Sequence, residues 1–163
     1  MTASLKFASP IGQITIAKSK NGIARVDIDA GDQKADANNA DELLVSARQQ
    51  ILEYFAGDCK TFDLPLDWSG MSAFQADVLR LTLEIPFGEV RTYGELAIAL
   101  GKPAASRAVG GALARNPLPL LIPCHRVVAS SGALTGYSAA GGITTKARLL
   151  EMEGHRVVSK KLG

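Results

Sequence analysis

The 163-residue chain is long enough for one medium-sized domain or two small ones, and 47% apolar with 21% charged residues is ordinary for a globular protein. No apolar run approaches the roughly 20 residues that span a bilayer, no signal peptide is evident, and two cysteines cannot form a disulfide framework, so we expect a cytoplasmic protein. The net charge of +2 is unevenly distributed along the chain. Residues 1–70 contain 7 Lys/Arg and 10 Asp/Glu, whereas residues 101–163 contain 9 Lys/Arg and 2 Asp/Glu. This basic C-terminal third indicates either a polyanionic partner or a solvated basic tail.

The first 70 residues predict a small β-sheet domain. Segments 14–17 and 23–28 are rich in β-branched residues, as strands are. They flank Asn21-Gly22, a pair that favours the tight turn of a hairpin. The sequence therefore predicts two antiparallel strands near the N-terminus.

A loop, a helix and a further strand are predicted after this hairpin. Residues 30–39 have no apolar period and predict a surface loop. Apolar residues then recur at helical spacing, which predicts a helix over about 41–56 that ends at Gly57. Residues 61–64 predict one more strand before Pro65.

The sequence becomes helical in character after about residue 70, where we place a soft domain boundary. Ser72 and Gln75 form a capping-box pattern, which predicts a helix that runs to about Glu84. A last helix is predicted over about 144–152, with two leucines facing a core.

Two short helices lie between these and resemble a helix-turn-helix. Thr92 and Glu95 repeat the capping-box pattern and begin a helix that runs through Leu100. Gly101-Lys102-Pro103 breaks it, and a second helix is predicted over about 104–115. Two short helices across a tight turn with glycine are typical of DNA-binding motifs.

The second helix of this pair is almost bare of bulky side chains. Its small residues are Ala104, Ala105, Ala108, Gly110, Gly111, Ala112 and Ala114. Each glycine costs about 1 kcal/mol of helix stability relative to alanine, a cost usually accepted where another backbone comes close. Either the helix packs tightly within its own domain, or it approaches the minor groove of DNA with Arg107 reaching inward.

Cys124 is the candidate nucleophile, although a lone cysteine is more often a small buried hydrophobe. If Pro123 starts a helical turn, the exposed N–H groups of that turn and a nearby cation would stabilise the reactive thiolate. His125 is adjacent and cannot face the sulfur directly, so a bridging water would carry the proton. Either Glu151 or Glu153 could orient the histidine, and each is otherwise a solvated acid at a helix end.

Several motifs occur together between residues 74 and 156. They are Ile85-Pro86-Phe87-Gly88, Thr92-Tyr93-Gly94-Glu95-Leu96-Ala97, Ser106-Arg107-Ala108-Val109-Gly110-Gly111 with Asn116-Pro117, Ile122-Pro123-Cys124-His125-Arg126-Val127-Val128, Ser131-Gly132, Gly136-Tyr137 and Glu153-Gly154-His155-Arg156. With this combination the chain resembles the O6-alkylguanine-DNA alkyltransferases, also called methylated-DNA–protein-cysteine methyltransferases. The resemblance is loose before residue 74, where Ser9-Pro10-Ile11-Gly12 is the best match.

The resemblance implies an α+β fold with two domains. Residues 1–70 would form a small N-terminal β-sheet domain with a helix, similar to ribonuclease H, and residues 71–163 a C-terminal helical domain with a winged helix-turn-helix. It also implies direct-reversal DNA repair, in which the alkyl group of O6-alkylguanine, and of O4-alkylthymine, moves irreversibly and stoichiometrically to the cysteine. The protein would bind double-stranded DNA through the minor groove, as a monomer that acts alone or cooperatively, and flip the damaged nucleotide out.

The resemblance assigns the chemistry to four residues. Cys124 would accept the alkyl group, His125 would relay the thiol proton through water, and Glu153 rather than Glu151 would polarise the histidine. Asn116 would link the recognition helix to the segment that carries the cysteine.

Further residues would hold the base and the DNA. Those implied to bind the base are Tyr93, Leu113, Val127, Tyr137 and Ser138. Those implied to contact DNA are Tyr93, Ala105, Ser106, Arg107, Ala108 and Gly110, with Arg107 as the finger that fills the vacated stack.

Three features depart from the family pattern. Ala139 and Ala140 lengthen the loop over the base pocket, and Ser106 stands where alanine is common. Some relatives carry zinc in the N-terminal region, but the matching cysteines and histidines are absent here, so we expect neither a metal nor a cofactor.

Three other classes of protein are alternatives to this function. A non-enzymatic reader of alkylated DNA lacks the acceptor cysteine, and the presence of Cys124 argues against it. A cysteine hydrolase would turn over many times, whereas transfer to the protein stops at one equivalent. A winged-helix transcription factor would bind unmodified DNA in a sequence-selective way.

Overall fold

The predicted hairpin is present as two strands of a three-stranded antiparallel sheet in the computed structural model, which describes residues 3–29, 41–137, 139 and 141–163. The strands are β1 (Ala3–Ser9), β2 (Gly12–Ser19) and β3 (Gly22–Asp29), in the order β1-β2-β3. Alternate residues such as Ile14 and Ile16 are buried, so one face of the sheet is apolar. The hairpin prediction is confirmed, and β1 is an addition to it. This sheet belongs to the first of two units, Met1–Gly70 and Met71–Gly163.

One helix packs against the apolar face of the sheet. α1 (Glu42–Ala56) begins after Asp41, whose side chain accepts a hydrogen bond from the Leu44 N–H, and ends at Gly57 with a left-handed φ of 85°. The core of this unit includes Leu5, Phe7, Ile14, Ile16, Val26, Ile28, Leu44, Ala47, Ile51 and Tyr54. The helix predicted over 41–56 is confirmed, and the loop predicted over 30–39 lies outside the described residues.

The strand predicted over residues 61–64 is wrong. The side chain of Gln50 satisfies the backbone there, because its Oε1 accepts from the Asp63 N–H at 2.8 Å and its Nε2 donates to the Asp63 carbonyl at 3.1 Å. Pro65 has no N–H to give to a ladder. Its carbonyl accepts from the Ile23 N–H at 2.8 Å, and the pairing stops at an isolated bridge.

Four α-helices form the framework of the described part of the second unit. They are α2 (Ala73–Leu83), α3 (Tyr93–Ala99), α4 (Ser106–Ala114) and α5 (Ile143–Met152). Ser72 caps α2, and Thr92 with Glu95 forms a complete capping box at α3. Each helix was predicted, and α3 and α4 flank the turn at Gly101, whose φ is 74°. None of the described helices has the length and apolar character needed to cross a membrane.

Pairs of two-residue strands lie between these helices and after the last of them. β4 (Arg91–Thr92) pairs in parallel with β5 (Val127–Val128), which brings the segment after Cys124 next to the start of α3. β6 (Val157–Val158) and β7 (Lys161–Leu162) form a C-terminal hairpin. Neither pair was predicted, because such short pairings leave no period in the sequence. The predicted α+β fold class is confirmed.

Candidate active site

Cys124 begins a single 3₁₀ turn, Cys124–Arg126, and is only 5% exposed. Cys124 lies in the first turn after Pro123, as expected, but its own N–H is not free to stabilise a thiolate. Pro123 precedes the turn instead of starting it, and the Cys124 N–H donates to the Ile122 carbonyl at 2.7 Å. A three-residue turn also has little of the dipole of a longer helix. Charged side chains near Cys124 are therefore a further source of activation for the thiol.

A buried lysine that the sequence analysis missed, Lys146, supplies positive charge near Cys124. Its Nζ donates to the carbonyls of Val127 at 2.6 Å, Thr135 at 2.9 Å and Gly136 at 3.4 Å. Burial lowers the pKa of Lys146 to about 8, while its electrostatic interaction with Cys124 acts in the opposite direction. An ammonium group in this position favours a thiolate over a thiol.

A signal for Lys146 was available in the sequence. It precedes Leu149 and Leu150 by three and four residues on the predicted last helix, so it lies on the same buried face. A charged residue on an apolar helix face is unusual enough to indicate a functional or structural requirement.

His125 and Glu153 form a buried hydrogen bond. Nε2 of His125 lies 2.7 Å from Oε2 of Glu153, and neither side chain is accessible to solvent. Glu153 lies at the end of α5, whereas Glu151 is exposed. Of the two carboxylates that spacing left open, the structure brings Glu153 to the histidine.

Arg126 holds the same carboxylate in place, and sequence reasoning gave it no role. Its Nε donates to Glu153 Oε1 at 2.7 Å, and one terminal nitrogen donates to Oε2 at 3.0 Å. The other terminal nitrogen donates to the Ile85 carbonyl at 2.8 Å. A bidentate salt bridge of this kind fixes the plane of the carboxylate and favours its ionised form.

The hydrogen bond to Glu153 determines which nitrogen of His125 carries the proton. Because Nε2 faces an ionised carboxylate, it is the protonated nitrogen of a neutral imidazole, and Nδ1 is an acceptor. Nδ1 is buried and no described residue forms a hydrogen bond with it. Burial is the main cause that lowers the pKa of His125; Glu153 opposes this effect, and the charges of Arg126 and Lys146 add to it. A neutral imidazole with an open acceptor can take a proton through a water molecule.

Asn116 joins the end of α4 to the segment that leads to Cys124. Its Nδ2 donates to the Ile122 carbonyl at 3.1 Å, and its Oδ1 accepts from the Leu118 N–H at 2.9 Å. Its own N–H donates to the Leu113 carbonyl at 3.1 Å. These bonds all involve backbone, which makes Asn116 a positioning residue for this segment.

The two faces of α4 differ sharply. With the flanking cap residues Ala105 and Arg115 included, the buried residues are Val109, Ala112 and Leu113, and the half-buried ones are Ala105, Ser106, Gly110 and Gly111. The exposed ones are Arg107, Ala108, Ala114 and Arg115. A Cβ at Gly110 would lie 3.9 Å from the ring carbons of Tyr93. This is an ordinary van der Waals distance, so an alanine would also fit against Tyr93 at this position. The opposite face presents small residues between two arginines.

A surface pocket of about 380 Å³ lies beside this helix. Its lining residues are Tyr93, Ser106, Arg107, Gly110, Thr135 and Gly136. The structure thus brings together four of the residues predicted to hold base or DNA. The Tyr93 hydroxyl is bonded to Thr135, which sequence reasoning had not singled out and for which no motif gave a signal.

The remaining predicted residues lie elsewhere in the same unit or outside the described part. Leu113 and Val127 are buried, and the Val127 carbonyl contacts Lys146. Tyr137 is half-buried, whereas Ser138 and Ala140 are not among the described residues. The described residues contain no group of three or more His, Cys, Asp or Glu side chains that could hold a metal ion.

Two family models together match most of the chain. The model described as the ribonuclease-like domain of 6-O-methylguanine DNA methyltransferase matches residues 5–68. The model described as the DNA binding domain of the same enzyme matches residues 73–155.

Individual proteins agree with the family models. The methylated-DNA–protein-cysteine methyltransferase of Methanosarcina acetivorans is 43% identical over 152 residues, which cover 91% of this chain and 96% of that protein. The crystal structure of the Mycobacterium tuberculosis O6-methylguanine methyltransferase matches with a TM-score of 0.80 at 37% identity, and the match covers 98% of this chain and 96% of that protein. A structure of M. tuberculosis OGT in complex with DNA has a TM-score of 0.79 at 39% identity, with coverage of 91% and 90%.

Proposed function

Because this chain belongs to the 6-O-methylguanine DNA methyltransferase family, we propose that its Cys124 accepts the alkyl group of O6-alkylguanine in double-stranded DNA. The chain is a DNA-repair enzyme that works by direct reversal, moving a methyl group from methylated DNA to a cysteine of the protein. The observation that carries the residue assignment is the buried His125–Glu153 bond of 2.7 Å directly after Cys124.

The proton path runs from the thiol through a water molecule to Nδ1 of His125, whose Nε2–H is held by Glu153. Lys146 stabilises the resulting thiolate. The sulfur attacks the alkyl carbon while the bond from that carbon to O6 breaks, and the electron pair of the broken bond stays on the guanine. The guanine takes up the proton that the thiol lost, so the products are S-alkylcysteine and an unmodified base.

The damaged nucleotide must leave the duplex before this reaction. The O6 atom of a stacked guanine cannot approach a buried sulfur, and unstacking costs a few kcal/mol. We assign DNA contact to the exposed face of α4, where small residues allow close approach to the minor groove. Arg107, which borders the pocket, would fill the gap left in the stack.

Several residues are proposed to hold the extruded base. Tyr93 would hydrogen-bond it, and Leu113, Val127, Tyr137 and Ser138 would complete the pocket around it. O4-alkylthymine presents an alkyl group on an equivalent exocyclic oxygen, so we propose it as a second substrate.

The reaction consumes the protein. A thioether is not readily hydrolysed, and none of the described side chains of the site offers a second nucleophile to regenerate Cys124. Because one chain contains the cysteine, histidine and carboxylate, we propose a monomer as the active form. We also propose a cytoplasmic location, where reducing conditions keep Cys124 as a thiol.

Intact-mass measurement after incubation with a duplex that contains O6-methylguanine tests the assignment. We expect a gain equal to one methylene group, located on Cys124 by peptide mapping, at no more than one equivalent per chain. Binding without a mass gain would indicate a reader of damage, and repeated turnover would indicate a hydrolase.

The Cys124→Ser variant is the matched control for this measurement. It should lose transfer, because a serine hydroxyl is far less acidic than a thiol. It should keep DNA binding, because Cys124 is buried and is not one of the exposed residues of α4. Transfer that persists in Cys124→Ser would refute Cys124 as the acceptor.

A further inference from the structure

Thr135 occupies the point where the pocket and the buried lysine meet. Its Oγ1 lies 2.9 Å and its carbonyl oxygen 3.0 Å from the Tyr93 hydroxyl. The same carbonyl accepts from Nζ of Lys146 at 2.9 Å. One residue therefore contacts both the proposed base-binding tyrosine and the cation near the sulfur.

The donors and acceptors in this contact can be assigned. A tyrosine hydroxyl has one proton, and a carbonyl oxygen can only accept. If both contacts are hydrogen bonds, the Tyr93 proton goes to the Thr135 carbonyl, and the Thr135 hydroxyl donates to the Tyr93 oxygen. The hydroxyl group of Thr135 thus binds Tyr93 in a way that does not use the tyrosine proton.

We propose that Thr135 is a positioning residue for Tyr93. The Thr135 hydroxyl donates a hydrogen bond to the Tyr93 oxygen and keeps that oxygen in place. The Tyr93 proton then turns from the Thr135 carbonyl to the extruded base. This inference rests on the proposed function, because it takes Tyr93 as a base contact. The backbone carbonyl anchors Lys146 whatever the side chain, so only the link to Tyr93 depends on the threonine hydroxyl.

The surroundings of Tyr93 make this hydrogen bond matter. Cys124 approaches it from the 3₁₀ turn, the Lys146 ammonium lies 5.8 Å from its ring centre, and Arg107 lines the same pocket from α4. Burial raises the pKa of Tyr93, the Thr135 hydrogen bond lowers it, and the charge of Cys124 raises it. Loss of the threonine hydroxyl should therefore make Tyr93 a weaker hydrogen-bond donor.

The test compares Thr135→Val and Thr135→Ser in the wild-type and Tyr93→Phe backgrounds. Single-turnover transfer from an O6-methylguanine duplex should be about five- to tenfold slower in Thr135→Val, the range that one neutral hydrogen bond commonly contributes. Thr135→Ser keeps the hydroxyl and should restore most of the rate. In the Tyr93→Phe background, Thr135→Val should cause no further loss, because the group it acts through is absent.

Thr144→Val is the matched control, since Thr144 is an exposed threonine on α5 and its change removes the same hydroxyl outside the pocket. It should transfer at the wild-type rate. A wild-type rate in Thr135→Val, or an equal loss in both Tyr93 backgrounds, overturns the role of Thr135.

Ultraviolet titration of the tyrosines separates this inference from the proposed function, because it needs no DNA. The titration step that is missing in Tyr93→Phe belongs to Tyr93. Thr135→Val should raise the pKa of that step. If the wild-type protein transfers the methyl group and this titration is unmoved, only the role of Thr135 fails. If the titration moves but the wild-type protein transfers nothing, the contact stands, the proposed function fails, and the catalytic part of this inference fails with it.

Discussion

Three charged side chains are buried around Cys124. Lys146 and Arg126 are cationic, and Glu153 is anionic, each with less than a tenth of its surface exposed. Buried charges are costly unless they are compensated by opposite charges. These three side chains carry two positive charges and one negative charge, so they favour a further negative charge nearby. A thiolate at Cys124 would be that anion, so we expect these charged side chains to favour its formation.

Replacement of Lys146 tests this explanation. Lys146→Met keeps the length of the side chain and removes its charge, so Cys124 should ionise at higher pH and react at least tenfold more slowly near neutrality. Because the pKa of Lys146 is about 8, its charge is present at neutral pH and is lost as the pH rises through that value. The wild-type rate should therefore level off or fall above this pH, and Lys146→Met should lack that limb. The rate of reaction with free O6-benzylguanine as a function of pH measures both effects.

Lys102→Met is the control for the loss of a positive charge. Lys102 is exposed, with its ammonium 5.3 Å from the Phe74 ring centre, in the turn between α3 and α4. Its replacement should leave the pH profile with free base unchanged. The same profile in all three proteins would show that Lys146 does not influence the sulfur.

At the scale of the element, α4 separates a packing face from a free one. Gly110 lies next to the Tyr93 ring on one side, and the exposed arginines Arg107 and Arg115 mark the two ends of the other side. Eight residues of helix rise about 12 Å, so these arginines are placed to meet different parts of a duplex.

The two arginines should therefore respond differently to replacement. Arg107 lines the pocket, so Arg107→Ala should slow repair of duplex DNA about tenfold or more, with little effect on free O6-benzylguanine. Arg115→Ala, the matched control on the same helix, should only weaken DNA binding, as loss of one phosphate contact does. Single-turnover rates on both substrates decide the point, and equal slowing on duplex and free base would remove Arg107 as the finger.

At the scale of the whole molecule, charge is segregated along the chain. Residues 101–163 have 9 Lys/Arg and 2 Asp/Glu, while residues 1–70 have 7 and 10. A basic segment that binds phosphates releases counterions, so affinity falls as salt concentration rises.

Binding of full-length protein to undamaged duplex DNA should therefore weaken steeply with salt. We expect a log–log slope of magnitude about 3 to 5 by fluorescence anisotropy, which corresponds to a few neutralised phosphates. Arg115→Ala should reduce the magnitude of that slope by about one, and Cys124→Ser should not change it. Affinity that does not depend on salt would favour the solvated basic tail over a DNA-binding surface.

Local signals in the sequence were reliable for elements that depend on neighbouring residues. The helix caps at Ser72 and Thr92 and the stop at Gly57 involve groups within a few residues of each other. The same holds for the hairpin, whose turn is Lys20-Asn21 with Gly22 paired to Ser19. The strand predicted over 61–64 failed because a side chain thirteen residues away, Gln50, took its backbone hydrogen bonds.

The sequence by itself determined the family, the candidate reactive cysteine and the helices on either side of it. Contiguous motifs and helical periodicity are sufficient to predict these features. Spacing left Glu151 and Glu153 open, the resemblance favoured Glu153, and the tertiary structure brings Glu153 to His125. The tertiary structure alone decided that Arg126 fixes this carboxylate and that Lys146 and Thr135 join the site. These contacts link residues 19 to 42 positions apart, and a contact between distant residues is set by how the elements pack, which no local pattern records.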